Sequence, residues 1–163
     1  MRLPNGKEAA TRPEERAMPV TIRHAGPGDE PAVVRLVREM AEGEGEVSPI
    51  DEHSVRHFLA SPISGALLAL DGEDPVGLLS YAIVPGLFHT ADSGIIELLV
   101  VTGARRGEGI GRRLVETALR VFRDAGCAEA SVSTGTENEA AQKIYCDAGL
   151  TEASVLLETH FSA

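Results

Sequence analysis

Residues Arg105 to Leu114 read RRGEGIGRRL, and three of the five positions from Gly107 to Gly111 are glycine. They come shortly after the apolar run IIELLVV, between a buried strand and the start of a helix. Glycine weakens both kinds of element, so three at one junction mean that the backbone itself must approach something closely. A helix start leaves unpaired N–H groups pointing outward and carries roughly half a positive charge. With no side chains in the way, those groups can hold a phosphate or a diphosphate. Arg105, Arg106, Arg112 and Arg113 are expected to add positive charge at the same point. The junction is built for an anion.

Several anion loops share this look. A dinucleotide fingerprint, G-x-G-x-x-G, needs glycine where Arg112 stands, and its helix follows a first strand rather than a fourth. Glu129 lies near the distance of that fold's ribose carboxylate, but it opens its strand instead of closing it. A P-loop requires lysine and then serine or threonine after the last glycine, which Arg112-Arg113 does not supply. A turn that merely joins strand to helix is the plain alternative.

Two other side chains stand out. Glu97 is the one charge inside GIIELLVV, and a period of two places it on the face of Leu99 and Val101. A carboxylate among apolar neighbours has a raised pKa, which suits it to take a proton. An exposed edge position, or a residue that only orients an amine, are the plainer readings. Tyr145 shares a helix face with Ala141 and Ala148. It is either a core aromatic or a phenol that, with a pKa near ~10, stays protonated at neutral pH and can donate.

The remaining polar residues carry less. Tyr81 and His89 are candidates to line an acceptor pocket, with His89 expected at the surface. His53 and His57 have a metal-compatible i, i+4 spacing, yet no glutamate follows His53 and no third ligand is apparent, so no metal is expected. The carboxylates of GEGE, residues 43 to 46, read as a solvated loop near an acceptor entrance. Cys127 and Cys146 have neither metal spacing nor disulfide density and are expected to fill apolar space as reduced thiols in the cytoplasm.

The elements that must place these groups follow from periodicity. VTIRHA reads as a strand, and GDEPAVVRLVREMAE as a helix with Asp29 as its N-cap. DEHSVRHFLAS is a short helix with Val55, Phe58 and Leu59 on one side. GALLAL and PVGLLSYAIV form a strand pair around the Asp-Gly turn of DGED, and GIIELLVV is the next strand. From Ile110 the period lengthens, with Leu114, Ala118, Val121 and Phe122 on a helical stripe that Gly126 ends. EASVST returns to a strand, NEAAQKIYCDAG to a helix, and EASVLLETHF to a last strand. The result is an α/β layer fold with a mixed sheet.

Composition narrows the classes. At 163 residues the chain forms one domain with a real core. A net charge of -10 disfavours a nucleic-acid binder and tends to attract cationic partners. No apolar stretch approaches the roughly 18 residues of a membrane span. Residues 1–19, polar and rich in proline, are expected to be a disordered leader and not a secretory signal, with Met18 a conceivable second start. The folded domain is expected over residues 20–163.

The stretch Arg106 to Gly111, R-x-x-G-x-G, resembles the acyl-CoA diphosphate loop of the GNAT superfamily of N-acetyltransferases. About 30 residues further on, Asn138, Ala141 and Tyr145 match that family's N-x-x-A-x-x-x-Y, and YCDAGL is similar to its Y-x-x-x-G-F ending. The resemblance implies the GNAT fold, a mostly antiparallel mixed sheet of six or seven strands flanked by about four helices. It implies acetyl-CoA as co-substrate and direct transfer of the acetyl group to a primary amine, on a small molecule or a peptide, in a ternary complex. By the same resemblance Leu99, Val100 and Val101 supply backbone groups to the pantetheine arm, on a strand that parts from its neighbour. The amide of Leu99 faces the thioester oxygen. Arg106, Gly107, Glu108, Gly109, Ile110 and Gly111 take the diphosphate, and Asn138 lies near the cofactor arm. Tyr145 becomes the general acid and Glu97 the base or amine ligand. A non-catalytic acyl-CoA-binding module is the alternative. The family carries two strands after the tyrosine helix, whereas one run remains here, so a missing, bulged or partner-supplied strand and a homodimer are expected.

Overall fold

The computed structural model describes residues 19–161. The anticipated leader, Pro19 apart, and Met18 therefore lie outside the described residues. The chain runs β1 (Thr21–His24), α1 (Glu30–Gly43), α2 (Glu52–Ala60), β2 (Ser64–Asp71), β3 (Asp74–Val84) and β4 (Ser93–Val101). A 3-10 turn (Gly103–Arg105), α3 (Ile110–Asp124), β5 (Glu129–Val132) and α4 (Glu139–Asp147) complete it. The strands lie in chain order in one sheet. β1 to β4 are antiparallel neighbours, and β5 joins β4 in parallel.

Local chemistry sets these boundaries. At α2, Asp51 accepts the Ser54 amide at 2.7 Å, a side-chain cap on an otherwise orphan donor. At α1 the expected cap is absent: Asp29 stands at the N-cap position, but its carboxylate accepts from the Gly26 amide and both terminal nitrogens of Arg23. It secures the entry loop instead. Gly72, at φ 62°, turns the β2–β3 hairpin as the Asp-Gly signal requires.

The sheet separates two apolar clusters. On one side α3 and α4 cover it, with Leu114, Val115, Ala118, Phe122 and Tyr145 packed on Leu67, Leu79 and Ile96. On the other, Val33, Leu36 and Val55 of α1 and α2 close over Leu68, Leu78 and Val100. Each fully buried leucine contributes on the order of 1.5–3 kcal/mol. Among the described residues no helix is long and apolar enough to cross a membrane.

The structure corrects several expectations. EASVLLETHF forms no strand: residues 151–161 have no regular structure and are exposed, with Val155 and Leu157 at 85% and 89%. The sheet among the described residues thus has five strands, not six or seven, and the outer edge of β5 carries no partner. β propensity alone does not make a strand without a neighbour to supply its hydrogen bonds. Tyr81 packs into the core. It is buried against Phe122 with ring centroids 5.5 Å apart, and burial pushes its phenol pKa up. Cys127 packs against the α3-side cluster as expected, whereas Cys146 is exposed on α4.

β4 positions the site. Its pairing with β3 shifts register between Ser80 and Tyr81, matching Leu98 to Ser80 and Ile96 to Tyr81 and leaving Glu97 unpaired. This is a bulge, which bends a strand and resets its alternation. Ile96 and Leu99 consequently pack on the same α3-side cluster although they are an odd number of residues apart, while Leu98 packs on the other side. Strict alternation does not run through Glu97.

Candidate functional site

β4 and β5 are matched from Ser93 with Glu129 to Ile96 with Val132, and there the pairing ends. From Leu98 to Val101, β4 has a neighbour on the β3 side only, and Glu97 is paired on neither side. Leu99, Val100 and Val101 therefore belong to a half-strand whose second edge is open. Open backbone edges inside a fold are a place for a ligand to pair. Arg106 Nε donates to the Val101 carbonyl at 3.1 Å, so one acceptor in this region already has a donor.

This half-strand leads into the glycine loop. Gly107 and Gly109 have φ of 82° and 78°, a backbone region that disfavours side chains, and Gly109 is the N-cap of α3. Hypothetical Cβ atoms on either would meet nothing within 4 Å beyond the neighbouring residues. Among the described residues the N–H groups of Gly107 through Arg112 donate to no protein acceptor, and α3 has no side-chain cap. Six consecutive free donors converge on one helix start. Ile110 and Gly111 are buried and seat the turn, with Leu99, Val101 and Ile144 within 3.4–3.7 Å of where a Gly111 Cβ would be.

The arginines do not contribute as anticipated. Arg105 is engaged by the carboxylates of Glu108, at 2.9 Å, and Asp71. Arg112 pairs with Glu116 at 2.8 Å, and Arg113 donates to the Val20 carbonyl. Arg106 has no carboxylate partner among the described residues. The positive potential at the loop comes from its amides and the α3 dipole more than from four free guanidiniums.

Tyr145 lies on α4 at 7% exposure, packed in the α3-side cluster that also takes in Leu99, Val101 and Ile144. Its hydroxyl bonds to no protein group, yet it is not a buried unsatisfied atom, so the ring is enclosed while the oxygen opens to solvent. Burial raises its pKa, which keeps the phenol protonated. Asn138 is exposed and caps α4, its Oδ1 accepting the Ala141 amide at 3.1 Å. Its carbonyl oxygen is thus already in use. Glu97 is exposed at the bulge and lacks the apolar enclosure expected of it. His53 and His57 are exposed on α2, and His89 stands 3.6 Å from Glu129 at the surface.

Two supports went unseen in the sequence. Glu39 of α1 accepts from Thr102 Oγ1 at 2.7 Å and the Gly103 amide at 2.9 Å, fixing the exit of β4. Asp71 reaches Arg105 from the β2–β3 turn. Only the Arg105–Glu108 spacing of three residues was visible as a local signal.

Comparison with known proteins agrees with this geometry. The chain is 30% identical over 131 residues to an aminoalkylphosphonate N-acetyltransferase of Salmonella typhimurium, covering 80% of this chain and 84% of that protein. It is 31% identical over 143 residues to a mycothiol acetyltransferase of Saccharopolyspora erythraea, covering 83% of this chain but only about half, 46%, of the relative. The fold matches that of AAC(6')-Iy in complex with the bisubstrate analogue CoA-S-monomethyl-acetylneamine, with a TM-score of 0.75 at 18% identity over 88% of this chain and 99% of that one. The model of the acetyltransferase (GNAT) family matches residues 32–149. With the parted strands, the amide-lined turn and the tyrosine helix in one domain, the chain belongs to the GNAT family of acetyltransferases.

Proposed function

We propose that this protein transfers the acetyl group of acetyl-CoA directly to the primary amine of a small molecule, in the cytoplasm and within a ternary complex. The observation that carries the reading is the continuity of the open edge of β4 from Glu97 to Val101 with the free amides from Gly107 to Arg112. An extended arm ending in a diphosphate has that pairing requirement: backbone groups along its length, then a nest of donors. When bound, acetyl-CoA supplies an activated thioester. The chain's own residues do the rest. Amides of Gly107 to Gly111 hold the diphosphate with Arg106 at its edge, Leu99 to Val101 align the arm, and Asn138 borders it.

The amine nitrogen forms a bond to the acetyl carbon as the carbon–sulfur bond breaks. Tyr145, kept protonated by burial, gives its hydroxyl proton to the departing sulfur. Glu97, exposed at the bulge beside the open edge, orients the amine and accepts its proton. A small amine as acceptor is supported by the relative from Salmonella typhimurium, whose name specifies an aminoalkylphosphonate. The net charge of -10 favours a cationic one.

Thiol release from acetyl-CoA across a panel of amines tests the reading. Tyr145→Phe is expected to lower kcat by about a hundredfold, in the range of a lost general acid, while coenzyme A affinity is largely kept. Glu97→Gln is expected to lower turnover by about tenfold. Tight acetyl-CoA binding with no turnover on any amine would instead identify a binding module, and unchanged rates in both variants would refute the two roles.

A further inference from the structure

Glu108 is an anion inside the loop proposed to hold a diphosphate. A free carboxylate there would repel the ligand, or would curl onto the six open amides and occupy them in its place. In the structure Glu108 does not curl onto the amides. Both Glu108 oxygens are taken by Arg105 Nε, at 2.9 and 3.0 Å, and no loop amide donates to them. Arg105 is in turn anchored through its Nη1 to Asp71, on the β2–β3 turn, and its own amide donates to the Thr102 carbonyl at 2.9 Å. It is only 21% exposed, less than either of its partners. The guanidinium is mostly enclosed and held by two carboxylates.

We propose that Arg105 is a positioning residue for the cofactor: braced on Asp71, it holds the Glu108 carboxylate away from the amide row and so keeps the diphosphate site open. This rests on the reading of the loop given above. The charge arithmetic supports it. Arg105, Asp71 and Glu108 together sum to one negative charge. Without Arg105 the same place would hold two unneutralised carboxylates beside an anionic ligand. Like charges at such separations are disfavoured even with solvent screening.

The test compares Arg105→Ala, Glu108→Gln and the double variant by calorimetric titration with coenzyme A. It also compares their kcat/KM with acetyl-CoA and with S-acetylpantetheine, which has the arm but no diphosphate. Arg105→Ala is expected to weaken coenzyme A binding by roughly tenfold, and Glu108→Gln to tighten it by about twofold. The double variant is expected to bind within about twofold of Glu108→Gln, because the harm done by losing Arg105 is exerted through Glu108. Use of S-acetylpantetheine is expected to be insensitive to Arg105→Ala. Equal losses with and without the Glu108 carboxylate, or equal losses with both thioesters, would show Arg105 to be merely structural and overturn the proposal. If Arg105→Ala has no cooperative thermal transition, Arg105→Gln carries the same comparison with its volume largely kept. A wild-type protein that binds no coenzyme A would sink the cofactor reading itself, an outcome distinct from normal binding that Arg105 does not affect.

Discussion

The two halves of β4 are built from similar apolar residues and do opposite things. From Ser93 to Ile96 the strand is matched on both sides, and Gly94 lies directly beneath the ring of Phe122. From Leu98 to Val101 it is matched on one side and runs into a loop whose glycines face open space. Glycine serves both halves, for unrelated reasons. Gly94 does not have a positive φ, so its backbone suits any residue, but a Cβ would come within 2.3 Å of Phe122. Gly107 and Gly109 have room for a Cβ, but φ near 80° penalises one. One half excludes side chains to pack a core, and the other to expose a backbone.

The largest expected effect falls on the closed half. Gly94→Ala should destabilise the fold by about 3 kcal/mol, since Phe122 at 2% exposure has nowhere to retreat. Urea unfolding followed by circular dichroism would measure it. The folded fraction should keep its affinity for coenzyme A, because the packing of Phe122 is remote from the amide row. A stability loss well under 1 kcal/mol would mean that the ring moves easily, and that the distinction between the halves is not one of packing.

Gly109→Ala should show the inverse pattern. Strain at positive φ costs about 1 kcal/mol and nothing clashes, so the melting temperature should fall by only a few degrees. Binding of coenzyme A should weaken by at least roughly tenfold, as the new methyl stands at the helix start that the diphosphate must approach. Equilibrium titration on the folded variant measures this. Unchanged affinity would place the anion elsewhere and dissolve the contrast with Gly94.

Much of this contrast was legible in the sequence, and the parts that were not share a cause. The helices α1 to α4, the Gly72 turn and the strand-to-helix switch at Ile110 follow from local periodicity and turn chemistry, and all form where expected. Of the crowded glycines, 107 and 109 have exposed backbone, whereas Gly111 is buried and seats the turn. What escaped were facts of tertiary pairing. The bulge at Glu97 exists only in the register between two strands, so alternation along one strand could not show it. Asp71 approaches Arg105 from 34 residues away and the Val20 carbonyl meets Arg113 from 93 away, so neither engagement shows in the local sequence. Glu39 gave no local sign that it would hold Thr102, 63 residues further on. Residues 152–161 had the composition of a strand and no neighbour to complete one.

Glu39 offers the finest probe of the open half, because it tethers the exit of that half to α1 by a charge that pH can remove. The Thr102 hydroxyl, then the Gly103 amide, and more weakly Arg35 and Arg106, hold its folded pKa below the ordinary 4.5. The unfolded chain therefore binds this proton more readily, and stability rises with pH across the gap between the two values. The contribution is complete above the unfolded pKa and disappears as pH falls through the folded one. Comparing wild type with Glu39→Gln removes the common acid response of Asp29 and the other carboxylates whose pKa values are also lowered. The difference in unfolding free energy should be constant from about pH 7 to about pH 5 and shrink toward zero below about pH 4. Partial exposure and screening limit its size to about 1 kcal/mol. Coenzyme A affinity should shift with it, since the tether fixes the 3-10 turn that leads into the amide row, while Gly94→Ala should leave that affinity unmoved at every pH. A difference that persists undiminished at about pH 3 would mean that the Thr102 and Gly103 contacts do not depend on ionised Glu39. Neutral Glu39 would then hold the exit of β4 together with the Thr102 amide's bond to the Val76 carbonyl.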